Sequence, residues 1–133
     1  MDHGSIAGSV AYCGLICRLC FRADRCDGCR SAGNRCERNG SDEGCFQKAC
    51  CETNGYPGCW ACADLERCTE GIYRDGARSK VRAFALCIRQ EGLEAFVGHV
   101  LRNRQAGLRV EKGGDYDGLP TDAVLRLLRS GRP

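Results

Sequence analysis

Regular patterning is confined to the C-terminal half of the chain. Val81, Phe84, Ala85 and Ile88 recur at i, i+3, i+4 and i+7, the apolar stripe of an amphipathic helix. Asp75 suits its N-cap and Gly92 its stop. A second stripe follows in Leu93, Phe96, Val97, Val100 and Leu101, ending near Gly107. Glu91 and Glu94 fall in its first turn, where the positive end of the helix dipole favours them. Lys112 to Gly118 reads as a loop, in which Asp115-Tyr116-Asp117 needs no role beyond a polar turn. A short third helix is predicted from about Pro120 to Arg129, with Val124, Leu127 and Leu128 inward and Gly131 past its end. Cys87, beside the first stripe, reads as a small core hydrophobe.

Residues 13–68 have a different texture. Their large apolar residues are few: Leu15, Ile16, Leu19, Phe21, Phe46, Tyr56, Trp60 and Leu65. That supply does not offset the entropy of fixing the backbone, roughly 1–2 kcal/mol for each residue. Glycines at 14, 28, 33, 40, 44, 55 and 58 break helical runs, and Asn34, Asn39 and Asn54 favour turns. Two helical turns are predicted, at about 15–22 and about 44–51, with a turn over residues 54–58 and a polar surface loop from Arg30 to Gly44. Residues 1–11 read as a flexible leader, with His3 solvated.

Cysteine supplies what apolar packing lacks here. Of thirteen cysteines, every one but Cys87 lies between Cys13 and Cys68. No secretory signal opens the sequence and no apolar run approaches the roughly 20 residues of a membrane span, so the expected compartment is the cytoplasm. In a reducing compartment such a pattern points to metal before disulfides, and an odd count fits full pairing poorly. Cys17/Cys20, Cys26/Cys29 and Cys59/Cys62 are Cys-x-x-Cys pairs, and Cys45/Cys50 forms a looser fourth. Such a turn brings two thiolates onto one ion with backbone amides aimed at the sulfurs. Soft thiolates suit zinc, copper(I) or iron–sulfur clusters.

Grouping is not encoded by spacing. In one arrangement Cys17, Cys20, Cys26 and Cys29 share an ion, and Cys45 and Cys50 share another with two of Cys59, Cys62 and Cys68; a second arrangement interleaves the pairs. Two tetrahedral sites are preferred, since ten thiols exceed one tetrahedron. Cys36, in the polar loop, and Cys51, directly after Cys50, are the weakest ligands. Cys13-x3-Cys17-x2-Cys20 also has the spacing with which radical SAM enzymes hold a [4Fe–4S] cluster, but 133 residues do not supply the large barrel around it. An iron–sulfur electron carrier stays open.

The run Tyr12-Cys-Gly-Leu-Ile-Cys-Arg-Leu-Cys20, followed by Cys26-Asp-Gly-Cys29, Cys45-x4-Cys50, Cys59-x2-Cys62 and Cys68, resembles a prokaryotic family of cysteine-rich proteins described only as a domain of unknown function. The resemblance extends through Ile88–Phe96 and Asp115–Gly118, from about Tyr12 to about Arg129. It implies metal binding, presumed zinc, through Cys13, Cys17, Cys20, Cys26, Cys29, Cys45, Cys50, Cys59, Cys62 and Cys68. Cys36, Cys51 and Cys87 have no counterpart in its pattern. Five residues rather than four separate Cys62 from Cys68, and the family's proline before the last cysteine is missing.

The formal charge is +3, too weak to indicate nucleic acid. Two zinc ions on eight thiolates would bring it to about −1. Arginine outnumbers lysine among the twenty basic residues. No Ser/His/Asp set, phosphate loop or carboxylate pair stands out. His99 reads as a helix-surface histidine, and Trp60 as a cover over a metal site.

The expectation is a small metal-stabilised α-plus-irregular fold. A cysteine-rich, zinc-knuckle half with little regular structure (residues 12–70) packs as one compact unit on about three C-terminal α-helices (residues 71–133). The function expected is a non-enzymatic zinc protein holding about two ions and presenting a protein-interaction surface. The alternatives are iron–sulfur ([4Fe–4S]) or thiol redox chemistry, and nucleic-acid binding through the knuckles. No membrane partner is expected.

Overall fold

The computed structural model describes residues 3–16, 19, 46–70, 73, 79–110 and 114–131. The described residues form five α-helices: α1 (His3–Gly8), α2 (Phe46–Asn54), α3 (Ser79–Glu91), α4 (Leu93–Gln105) and α5 (Thr121–Ser130), with a 3₁₀ turn over Cys59–Ala61. Among them the β-structure is a single antiparallel bridge, Val10 to Ile16. None of these helices is long and apolar enough to cross a membrane.

The three C-terminal helices follow their stripes. Val81, Phe84, Ala85 and Ile88 of α3 and Phe96, Val97 and Val100 of α4 are all buried. Gly92, at φ 96°, turns the chain so tightly that one residue separates α3 from α4. That tightness corrects one expectation. Glu91 is not in the first turn of α4; it is the last residue of α3 and reaches across to α4.

α5 runs from Thr121 to Ser130, within a residue of the predicted bounds, with Pro120 just before it and Gly131 past its end, and Val124 and Leu128 in the core. Its last carbonyls are satisfied by α4. Arg102 donates to Leu128 O at 2.6 Å, and buried Asn103 donates to Leu127 O and to the Tyr116 hydroxyl, each at 2.9 Å. Tyr116 is almost wholly buried, edge-on to Phe84 at 5.7 Å between ring centroids. Asp117 pairs with the buried Lys80 ammonium, which also donates to Val110 O. Asp115 accepts from Arg109 N at 2.7 Å. The Asp-Tyr-Asp turn therefore ties α3 to α4, more than the polar turn expected of it.

Residues 3–11 are not a loose leader. Ile6, Val10 and Ala11 are buried, and α1 packs on α4. The apolar positions of this segment are spaced too sparsely to show a stripe, and their partners lie far along the chain. After α1 the chain makes a tight loop, in which Ala11 N donates to Leu15 O and Gly14 N to Ala11 O. Gly14, at φ 106°, rests on the backbone of α3. A Cβ added there would lie 3.1 Å from Ala85 N and 3.3 Å from Phe84 Cβ. The glycine of the Tyr-Cys-Gly-Leu run is thus needed both for its φ and for its closeness to α3.

α2 confirms a helix near the expected 44–51, and Gly55 at φ 73° follows it at the expected turn. Of the turn expected at about 15–22, the described residues include Leu19, which donates to Ile16 O and is buried. The Arg30–Gly44 loop and Asp75 lie outside the described residues.

Candidate metal centre

α2 places two adjacent cysteines differently. Its buried face is Gln47, Lys48 and Cys51, so Cys51 points inward at 1% exposure and Cys50 sits at the edge. The turn at Gly55–Gly58 then reverses the chain. Cys59 N donates to Tyr12 O at 2.7 Å, which pins the Cys59–Ala61 turn to the N-terminal loop. A Cβ on Gly58 would fall 2.2 Å from the Trp60 ring, so the indole lies across that glycine. Trp60 does not line the cavity described next.

These segments enclose a small cavity of about 30 Å³, lined by Cys50, Cys51, Cys59, Cys62 and Cys68 together with Phe46, Leu65 and Tyr73. The Cys51 and Cys59 sulfurs are 3.9 Å apart. Two thiolates on one zinc at about 2.3 Å, with a tetrahedral angle between them, stand about 3.8 Å apart. Asp64 N–H donates to Cys62 Sγ at 3.4 Å, an amide aimed at sulfur as a knuckle requires. Asn54 Nδ2 approaches Cys50 Sγ at 3.6 Å. Burial, then the neighbouring Cys59, Cys62 and Cys68, push the Cys50 thiol above its ordinary range. Tyr73 is pushed up in the same way, by burial first and then by Cys59 and Cys13; its hydroxyl donates to Cys13 O at 3.1 Å. Cys13 itself is buried but does not line the cavity.

Two arginines on α3 hold the cysteine segment from behind. Arg82 donates to Glu66 O at 2.8 Å and to Cys68 O, with its guanidinium 5.3 Å from the Tyr73 ring centroid. Arg89, two turns on, donates to Trp60 O at 3.0 Å and to Cys62 O, and pairs with Glu66. A fork with several fixed donors is what such multi-carbonyl contacts need, and lysine lacks it. The arginine bias has a structural use here.

Of the residues expected to bind metal, Cys50, Cys59, Cys62 and Cys68 come together around the cavity, and the extra spacing before Cys68 does not keep it away. Cys17, Cys20, Cys26, Cys29 and Cys45, with Cys36, lie outside the described residues. Cys51, set aside on sequence, is the deepest cysteine of the cavity. The phase of α2 was the signal, but polar Gln47 and Lys48 on its buried face hid it.

A second cluster lies between α3 and α4. Cys87 is fully buried, as a core cysteine should be, and its Sγ donates to Glu91 Oε2 at 3.5 Å. His99 Nε2 is 2.9 Å from Glu91 Oε1, and Arg129 Nε donates to Glu91 Oε2 at 2.8 Å. The His99 hydrogen bond, then that of Arg129, hold the Glu91 carboxyl down at about 2. Burial and the Glu91 carboxylate push Cys87 up to about 12. Among the described residues this is the group of three ligand atoms that all lie within 4.8 Å of one another. No three of the cavity sulfurs all lie within 4.8 Å of one another. Compared with known proteins, the chain matches no family model, no curated protein and no solved structure.

Proposed function

We propose that this chain is a non-enzymatic zinc-binding protein whose thiolate sites give its cysteine-rich segment its shape and organise a surface for a protein partner. The carrying observation is the convergence of five cysteines on one ion-sized cavity, two of them at the edge length of a zinc tetrahedron. Four of Cys50, Cys51, Cys59, Cys62 and Cys68 would hold one ion, Cys51 and Cys59 among them. The pairs Cys17/Cys20 and Cys26/Cys29 have the ligand spacing for a second. At about 30 Å³ the cavity has room for an ion.

The same distance weighs against the [4Fe–4S] alternative. Four cysteines serve four irons in such a cluster, one on each, so two thiolates at one tetrahedral edge suit a single ion better. Nucleic-acid binding has less support, because Arg82, Arg89, Arg102 and Arg129 are turned onto groups of their own chain. Phe46, exposed at 41% on the cavity rim, is where a protein partner would make apolar contact. Native mass spectrometry with metal analysis of freshly reduced protein tests the reading. About two zinc ions per chain are expected; stoichiometric iron with sulfide, or no metal, would overturn it.

A further inference from the structure

We propose that Cys87, Glu91 and His99 form a separate metal site between α3 and α4 that takes a borderline divalent transition ion, such as zinc or cobalt(II), with one position left open. Cys87 and Glu91 are four residues apart on α3 and share a face. The one-residue reversal at Gly92 then brings α4 back alongside, and His99 arrives opposite Glu91. The three ligand atoms lie within 4.8 Å of one another. Cys87 Sγ lies 3.5 Å from Glu91 Oε2, the oxygen that Arg129 also holds, and His99 Nε2 faces the other oxygen, Oε1. The His99–Glu91 separation of 2.9 Å opens by roughly 0.5 Å to admit an ion.

Donor chemistry selects the ion. One thiolate, one imidazole and one carboxylate suit zinc, cobalt(II) or iron(II), and not the oxygen-seeking magnesium or calcium. Arg129 serves Glu91 as an outer partner, fixing the carboxylate through Oε2 while Oε1 faces His99. Its positive charge also lowers cation affinity, so this site fills after the thiolate-rich one. The His99 and Glu91 side chains are 20% and 29% exposed, which leaves solvent access for a fourth ligand. Three protein ligands and an open position set this site apart from a closed structural one.

The test is a cobalt(II) titration of the full-length, zinc-replete, reduced chain after a mild chelator has removed weakly held metal. One further equivalent of cobalt is expected, with a thiolate-to-cobalt charge-transfer band. His99→Gln and Glu91→Gln should each weaken that equivalent at least tenfold, and Cys87→Ala should abolish the band. In every variant the zinc retained by the thiolate-rich region should be unchanged, which separates this proposal from the zinc reading above. His99→Gln alters only a partly exposed side chain, so its result stands even if Cys87→Ala folds poorly. Absence of the further equivalent in the natural chain, or its persistence at full affinity in His99→Gln, would overturn the assignment.

Discussion

Replacing Gly14 with alanine tests how the first cysteine loop is seated. Its φ of 106° belongs to glycine, and an L-residue there costs about 1–2 kcal/mol. The new Cβ would also meet Ala85 N at 3.1 Å and Phe84 Cβ at 3.3 Å. Both belong to fully buried residues of α3, so the obstacle is core backbone rather than a flexible side-chain tip. Overpacking of that kind costs about 1–3 kcal/mol. Alanine returns about 0.4–1 kcal/mol by restricting the unfolded chain. The net expectation is a loss of roughly 1–5 kcal/mol, or on the order of 1 M in urea midpoint at typical m-values. Gly8→Ala is the control: nothing lies within 4 Å of its Cβ and its φ is ordinary, so it should be neutral or slightly stabilising. Both variants are compared with the natural chain by urea denaturation in excess zinc. If Gly14→Ala and Gly8→Ala unfold at the same midpoint, the loop does not rest on α3 and the reasoning fails.

The clamp from behind the thiols makes a second prediction. Arg82→Ala and Arg89→Ala should each weaken zinc retention about 10–100-fold in chelator competition, as lost outer-shell partners do, and lysine at either place should not restore it because one fork serves two carbonyls. A third concerns acid. With its carboxyl held at about 2 in the folded chain against an ordinary 4.5, Glu91 contributes stability that is complete above about pH 4.5 and disappears as pH falls toward 2. In chelator-treated protein, Glu91→Gln should therefore flatten the loss of melting temperature across that interval, and an unchanged pH profile would show that the His99 and Arg129 contacts do not form.

The C-terminal helices were legible because each buries a stripe of its own, and the period of that stripe is written locally. Where burial depends on remote partners the reading weakened. Ile6 and Val10 reveal nothing until α4 is set against them, and the role of Tyr116 appears only once Phe84 and Asn103 surround it. In the candidate site, the spacing of Cys59, Cys62 and Cys68 pointed to one neighbourhood, and they share it. Cys51, read as one of the weakest ligands, nevertheless lines the candidate site, because a helix points adjacent residues in different directions and leaves Cys50 at the rim and Cys51 inside. Arg82 and Arg89 carried no motif, since a guanidinium that grips main-chain carbonyls leaves no trace in their sequence spacing.

The seat of Gly14 on Ala85 also bears on biosynthesis. The loop leaves the ribosome first, and the helix it leans on follows about 70 residues later, on the order of 4–14 s at roughly 5–20 residues per second. For that interval the early thiols have no scaffold beneath them. Nascent chains arrested before α3 should accordingly be far more open to alkylating reagents at Cys13 than chains released whole.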